Sequence, residues 1–157
     1  MSSTDVSGEA GEAESALGVD MNLEVVTLPV ADVDRAKAFY QSLGWRLDID
    51  LVVGDQVRTV QFTPPHSGCS IQFGKGRTAA EPGSAQAMIL VVKDIDAARD
   101  DLIERSVDVS EVQEMKPPGF DAPGRSYFAR ASFSDPDGNG WELQEITTRL
   151  PGRTWED

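Results

Sequence analysis

The residue best suited to chemistry in this sequence is Glu142, in the segment SDPDGNGWELQE at residues 134–145. Asp135, Pro136 and Gly138 occupy the first, second and fourth places of a type I turn, which these residue types favour. The turn leads into the alternating pattern of a strand, and Glu142 stands just inside it. A carboxylate at this place is suited either to holding a metal ion or to transferring a proton.

The other candidate for proton transfer is His66, the only histidine of the chain, in the segment PPHSGCS. An imidazole titrates near neutral pH, which suits general acid–base catalysis. A solvated residue at the tip of a hairpin is the simpler interpretation of the same position. The single cysteine, Cys69, excludes an intrachain disulfide and a cysteine-rich metal site.

The elements that must position these residues can be read from the apolar pattern. In the first half, a strand is predicted over 23–30 and a helix over 32–42 with Asp32 as its N-cap. Three short strands follow in WRLDIDLVVGD, QVRTVQFTPP and CSIQFGKG. In the second half, strands are predicted over 87–92 and 107–112, with a helix from Asp94 to about residue 105 between them. A Pro/Gly-rich loop over 115–125 precedes the last two strands, SYFARASFS and GWELQEIT.

The two halves repeat each other at an offset of 62 residues. Leu28 matches Leu90, and Asp32 matches Asp94, at the same strand-to-helix junction. Similarity at a fixed offset indicates duplicated structural units. The predicted fold class is therefore α+β, with two tandem βαβββ modules over 21–76 and 86–148. Neither half buries its sheet alone, so the two sheets are expected to face each other around a shared concavity.

Composition limits the partners of this protein. Residues 1–20 hold five acids and no Lys or Arg, which predicts a disordered acidic tail before a single domain over 21–148; residues 149–157 are a C-terminal tail. The net charge is −13, which argues against nucleic acid. No run of about 18 apolar residues is present, so no membrane partner is expected. A reduced, cytoplasmic setting is the expectation.

The paired βαβββ pattern, the opening LPVADVDRAKAFYQSLGW and the late SFSDPDGNGWELQE together resemble the vicinal oxygen chelate superfamily. That superfamily includes glyoxalase I, extradiol dioxygenases, and fosfomycin- and bleomycin-resistance proteins. The resemblance covers residues 21–148 and implies that curved, mixed sheets form a cup, closed either within one chain or across a dimer. In the family, two side chains from each module hold a divalent metal in this cup. Its ligand positions fall here on Val25, Gln72, Ala87 and Glu142. Val and Ala cannot bind a metal, so neither a metal nor any other cofactor is expected.

A metal-free cup would be a largely apolar pocket with a few polar points. Alternation along the strands places Thr27, Gln61, Gln72 and Gln144 on the cup side with Glu142. The predicted catalytic residues are Glu142 and His66. The predicted substrate-binding residues are Thr27, Gln61, Gln72, Tyr127, Trp141 and Gln144. Packing at the module interface is the alternative for Trp141, and the facing of Tyr127 stays open.

Two functions of different class fit this pocket. The first is a metal-independent enzyme in which Glu142 moves a proton in isomerisation, dehydration, cyclisation or lyase chemistry on an apolar, oxygenated, polyketide-like molecule. The second resembles the bleomycin-resistance proteins, which sequester a toxic small molecule without chemistry. In that case Glu142 is a carboxylate tied to a nearby amide or arginine. A small-molecule ligand and a homodimer are expected in both cases.

Overall fold

The computed structural model describes residues 18–119 and 124–149, which form two successive modules. The elements of the first module are β1 (Val25–Thr27), α1 (Val33–Ser42), β2 (Arg46–Val53), β3 (Val57–Thr63) and β4 (Ser70–Lys75). Those of the second are β5 (Met88–Val92), α2 (Ile95–Glu104), β6 (Gln113–Glu114), β7 (Ala129–Ser134) and β8 (Gly140–Glu145). Nearly all of the two predicted tails, residues 1–17 and 150–157, lies outside the described residues. Among the described residues, no helix has the length and apolar character needed to cross a membrane.

Each module folds into a four-stranded mixed sheet, and the two sheets have the same topology. The strand orders are β1-β4-β3-β2 and β5-β8-β7-β6. The first strand of each module pairs in parallel with the last, and the other neighbours are antiparallel. The predicted α+β class and the tandem βαβββ repeat are therefore confirmed. A shared cup between the two sheets stays a prediction.

The repeat is clearest where each helix begins. Asp32 and Asp94 both have extended backbone, and the carboxylate of each accepts a hydrogen bond at 3.1 Å, from the backbone N–H of Arg35 and of Ala97 respectively. This bond satisfies one of the N–H groups that the first helical turn leaves without a partner. The two helix starts predicted from the 62-residue offset are thus confirmed by the same capping contact.

Two predicted strands differ from the observed ones. The strand predicted over 23–30 is limited to Val25–Thr27. The segment 107–112 is not a strand, and only Gln113–Glu114 pairs regularly with β7. The reason lies at Ser110, whose backbone N–H donates to the carbonyl of Ser132 while its hydroxyl accepts from the Ser132 N–H. A side chain thus replaces one backbone bond of the ladder. Val107 and Val109, which suggested a strand, are buried in the core.

Both sheets pack onto one shared core, with Tyr40 of α1 between them. The Tyr40 ring lies 5.6 Å from Phe73 of the first sheet and 6.2 Å from Trp141 of the second. Trp45 also contacts Trp141, edge to face at 5.3 Å. Each sheet therefore turns one face to this core and its other face away from it. The apolar residues buried in the core include Leu28, Ala36, Val60, Phe62, Ile71, Ile95, Ala131, Phe133 and Leu143.

The turn before β8 fastens the second module to the first. Asp135 closes the turn, because its carboxylate accepts from the N–H groups of Asp137 and Asn139 at 2.9 and 3.0 Å. The Asp137 carboxylate accepts from the N–H of Ala31, and the Asn139 amide donates to the carbonyl of Pro29, both at 2.9 Å. These bonds explain why the turn is polar although Asp135 and Asn139 are buried.

Candidate functional site

The second sheet carries a pocket of about 630 Å³ on the face turned away from the core. All of its lining residues belong to the second module. They are Ser110, Gln113, Met115, Pro117, Tyr127, Phe128, Arg130, Ala131, Ser132, Glu142 and Gln144. This volume suits a small organic molecule.

Strand alternation explains which side chains form the floor. On β7, Ala129, Ala131 and Phe133 are buried in the core, so Arg130 and Ser132 point the other way. In the β7–β8 pairing, Ser132 lies opposite Glu142 and Arg130 lies opposite Gln144. The sequence thus places Glu142 and Gln144 on one face as predicted, and the pocket is on that face.

Glu142 forms an ion pair with Arg130 on this floor. The Arg130 Nη1 atom donates to Glu142 Oε2 at 3.1 Å. About a third of the Glu142 side chain and about half of the Arg130 side chain are exposed (34 % and 46 %). The carboxylate is therefore neither isolated nor fully desolvated, and it matches the alternative in which Glu142 is tied to an arginine.

Tyr127 forms one wall of the pocket in an unusual backbone conformation. Its φ is 72°, in the left-handed region that bulky residues rarely adopt. Two hydrogen bonds hold it there: its N–H donates to the carbonyl of Glu145 at 2.7 Å, and its carbonyl accepts from the Gln144 side chain at 3.0 Å. Gln144, which we predicted as substrate-binding, thus uses one amide N–H to position Tyr127.

The polar residues predicted on the first module lie together on the first sheet and do not line this pocket. Gln72 donates to Thr27 Oγ1 at 2.8 Å, and Gln61 lies opposite Gln72 in the β3–β4 pairing. Gln61 also donates to Asp48 Oδ2 at 3.3 Å. One chain therefore does not bring Thr27, Gln61 and Gln72 to the pocket that contains Glu142.

Asp48 was not expected on this face. A bulge between Leu47 and Ile49 shifts the register and turns the Asp48 side chain towards Gln61 and Thr63. Partial burial opposes ionisation, but the hydrogen bonds from Thr63, Arg46 and Gln61 outweigh it and lower the pKa of Asp48. The residue is a fixed negative charge beside the polar row of the first sheet.

His66 and Trp141 lie outside the pocket lining. His66 is exposed in the turn between β3 and β4 of the first module, with φ at 62°. Trp141 is buried in the core, where its indole N–H donates to the Tyr40 hydroxyl at 3.0 Å. It stands one residue before Glu142 on β8, so alternation directs it to the opposite face of the sheet.

The donor set does not fit a divalent metal. Of the four positions that the resemblance assigns, Val25 and Ala87 carry no donor atom, Gln72 is bonded to Thr27, and Glu142 is paired with Arg130. Ala87 also precedes β5 with φ at 59°, rather than lying in the strand. Within 18–119 and 124–149, no group of three or more His, Cys, Asp or Glu side chains is placed to hold a metal ion.

Several lining residues were not among the predicted site residues, although Arg130 was considered for the site with its facing left open. Arg130 and Ser132 were predictable in principle, because the buried Ala131 and Phe133 fix the facing of β7. Met115 and Pro117 lie in the Pro/Gly-rich loop, where no periodicity indicates facing. Ser110 and Gln113 are on the segment 107–114, whose pairing depends on a side-chain bond that the pattern does not reveal.

A family model for the glyoxalase/bleomycin resistance protein/dioxygenase superfamily matches residues 22–143 of the chain. The chain belongs to this superfamily. This vicinal oxygen chelate superfamily was the one expected from the repeat and from SFSDPDGNGWELQE. It contains both enzymes and binding proteins, so membership alone does not decide whether the pocket performs chemistry.

Solved structures of this superfamily are similar over most of the chain. TnmS3, an antibiotic binding protein from Streptomyces sp. CB03234, is 28 % identical with a TM-score of 0.67, and the match covers 83 % of this chain and 99 % of that one. A glyoxalase/bleomycin resistance protein from the same strain is 30 % identical, covering 78 % and 99 %, with a TM-score of 0.61. A superfamily member from Sphaerobacter thermophilus DSM 20745 is 28 % identical, covering 80 % and 98 %, with a TM-score of 0.63. No curated protein matches the sequence.

Proposed function

We propose that this protein binds a small, largely apolar antibiotic or toxic metabolite and sequesters it without chemistry. The observation that carries the proposal is the Arg130–Glu142 ion pair on the pocket floor. A carboxylate that is neutralised by a guanidinium and open to solvent contributes to recognition more readily than to proton transfer. Similarity to an antibiotic binding protein supports the same class of function.

The pocket lining defines the chemistry of the ligand. The apolar part of the pocket lining is formed by Met115, Pro117 and Phe128. Such a lining favours a ligand with an apolar or aromatic body. Arg130 has five N–H groups, and Glu142 takes one of them. The others can donate to ligand oxygens, so the expected ligand carries carbonyl, hydroxyl or anionic oxygen groups at one end of an apolar body.

The enzyme hypothesis has weaker support than sequestration. His66, the second predicted catalytic residue, lies on the first module outside the pocket. The titratable side chains in the lining are Glu142, Arg130 and Tyr127, and the first two neutralise each other. Glu142→Gln separates the two hypotheses, because an enzyme would lose turnover while keeping affinity.

A second copy of the chain would complete the site. Ile49, Leu51 and Val53 are exposed on the same face of the first sheet as Gln61, and Ile89 is exposed beside Glu142 on the second. Exposed apolar faces of this kind favour association. We infer a homodimer in which the first sheet of one copy covers the pocket of the other and brings Thr27, Gln61 and Gln72 to the ligand.

The test of the function is a ligand screen by thermal shift and calorimetry over aromatic polyketides, cationic glycopeptides and small keto acids. We expect saturable binding of one ligand per pocket, weakened by Arg130→Met, with the ligand recovered unchanged. Arg77→Met, at an exposed position before β5, is the matched control. Product formation that disappears in Glu142→Gln would instead establish an enzyme, and no binding by any ligand class would reject sequestration.

The test of the dimer is sedimentation of Leu51→Asp beside Ile103→Asp. Both residues are exposed and apolar, but Ile103 lies on α2 and not on the sheet faces. We expect the Leu51 variant to be monomeric with lower ligand affinity, and the Ile103 variant to behave as wild type. If the wild-type protein sediments as a monomer and still binds its ligand with the affinity found in the screen, the shared site is contradicted.

A further inference from the structure

Arg125 lies outside the pocket lining, yet it joins three elements around it. Its guanidinium contacts three carboxylates: Nη2 lies 2.7 Å from Asp96 Oδ2 of α2, Nη1 lies 3.5 Å from Glu114 Oε1 of β6, and Nε contacts Glu145 Oε2 of β8. The Glu145 side chain is almost completely buried, at 6 % exposure. A buried carboxylate needs a charged or hydrogen-bonding partner, and Arg125 supplies it.

The arrangement depends on the shape of the guanidinium. Its three nitrogens contact three carboxylates, and Nη2 also donates to Glu145 Oε1 at 3.4 Å. A single ammonium nitrogen cannot reproduce this planar arrangement. The hydrogen bonds to Asp96, and then to Glu145, raise the pKa of Arg125 above its ordinary value. Arg125 is therefore permanently charged, and its contacts are specific to arginine.

The three ion pairs of Arg125, called the clamp below, hold the chain beside two lining residues. Glu114 directly precedes Met115, a lining residue, and Arg125 stands two residues before Tyr127. Ser126, which lies between Arg125 and Tyr127 in the chain, is buried. Its hydroxyl donates to the carbonyl of Thr148 at 3.0 Å. The chain is thus fixed directly before the left-handed Tyr127 backbone. Such a conformation persists only where the surrounding contacts determine it.

We propose that Arg125 is the positioning residue of the ligand pocket: by joining Asp96, Glu114 and Glu145 it holds Met115 and the strained Tyr127 in place as a binding wall, without touching the ligand. This inference rests on the proposed binding function. It assigns to Arg125 a role in affinity that its position outside the lining does not suggest. Loss of Arg125 also leaves three carboxylates facing one another, which favours displacement of the wall.

The binding test uses N-phenyl-1-naphthylamine, a neutral aromatic probe whose fluorescence rises in an apolar pocket. Because the probe has no charge, a change in affinity cannot arise from direct attraction to the guanidinium. We expect Arg125→Met to weaken binding about tenfold, and Arg125→Lys to give an intermediate loss. Arg105→Met is the matched control, since Arg105 pairs with Asp101 and caps the Ser42 carbonyl outside the pocket. It is expected to lower stability but not affinity.

A double-mutant cycle separates positioning from general destabilisation. If Arg125 acts through Tyr127, Arg125→Met changes probe affinity by no more than about twofold in a protein that already carries Tyr127→Ala. If it acts by loosening the whole fold, the loss in the double variant is as large as in the single one. Full additivity of the two substitutions would therefore overturn the proposal.

Amide hydrogen exchange tests the clamp without any ligand. The Tyr127 N–H donates to the Glu145 carbonyl, so Arg125→Met is expected to accelerate exchange at Tyr127 and leave Phe73 in the first sheet protected. Unchanged exchange at Tyr127 contradicts the inference whether or not a probe binds. Conversely, accelerated exchange in a protein that binds no probe supports the clamp and counts against the proposed function alone.

Discussion

The Tyr40 hydroxyl donates a hydrogen bond to Asp135 Oδ2 at 2.8 Å and so joins the helix of the first module to the turn that begins β8. The same oxygen accepts from the Trp141 indole N–H. Burial, and then the nearby charge of Asp135, raise the pKa of Tyr40 well above its ordinary value, so the phenol stays a donor. The strand that carries Glu142 is thereby coupled to the first module, and the two modules are expected to unfold together.

Tyr40→Phe is expected to destabilise the protein by about 1–3 kcal/mol, because Asp135 loses a donor and the buried Trp141 N–H loses its acceptor. Urea denaturation followed by tryptophan fluorescence measures the loss. Tyr127→Phe is the matched control, since Tyr127 is the only other tyrosine and lies at the pocket rather than in the core. A loss below about 0.5 kcal/mol in Tyr40→Phe would show that the core hydrogen bonds contribute little.

At Tyr127, glycine is expected to be more stable than alanine by about 1 kcal/mol. The φ of 72° costs an alanine almost as much as a tyrosine, whereas glycine adopts it freely. At Gln41, an exposed position in α1, alanine should be more stable than glycine by a similar amount, because glycine weakens a helix. Thermal unfolding of the four variants measures both differences, and the same order at both sites would contradict the strained conformation.

Gly74→Ala is expected to cost more than about 2 kcal/mol. A Cβ at this position of β4 would overlap the backbone carbonyl of Arg58 on β3, so the two strands must separate. Gly68, in the preceding turn, has open space where a Cβ would lie, and Gly68→Ala serves as the control. Comparable stability of the two variants in urea would argue against close pairing of β3 and β4.

Asp50 is expected to make stability depend on pH in the acid range. Hydrogen bonds from Arg58, and then from Lys37, lower the pKa of Asp50 from 3.8 to about 2. Its folded-state pKa is thus below the unfolded value, so its contribution is complete above about pH 4 and is lost as the pH falls towards 2. After allowance for solvent exposure, that contribution is about 1 kcal/mol.

Asp50→Asn tests this contribution by urea unfolding at several pH values. The variant should be less stable than wild type at pH 6, and the difference should shrink as the pH is lowered. A difference that stays constant across this range would mean that the charge of Asp50 is not its source.

The sequence predicts the elements that position the site better than it predicts which residues form the site. Asp32 and Asp94 mark the helix starts because a capping carboxylate accepts a hydrogen bond from a backbone N–H only three residues further along the chain. The pairing of Glu142 with Arg130 depends instead on two strands whose facing is fixed by buried residues far from both. Asp48 was missed because a bulge interrupts the period of two. Tyr127 was predicted as a site residue, but its facing stayed open because its backbone leaves the region that the pattern assumes.

Which sheet faces meet is also beyond the local pattern. The duplicated modules predicted that the two sheets face each other, but they left open whether the polar faces meet within one chain or across a dimer. In this chain Tyr40, Trp45 and Trp141 lie where the two apolar faces meet, and all three are buried in the shared core. The polar faces of one chain are left apart as a result.

The bulge at Asp48 has a consequence for the solution behaviour of the protein. β2 is the outer strand of its sheet, and it exposes Leu51, Val52 and Val53 next to unpaired backbone groups. A regular outer strand of this kind invites another chain to add to it as in amyloid growth, and a bulge with an inward-turned charge opposes that addition. Replacement of Asp48 by an apolar residue is therefore expected to leave the protein folded but prone to fibre formation, a liability that thermal unfolding alone would not reveal.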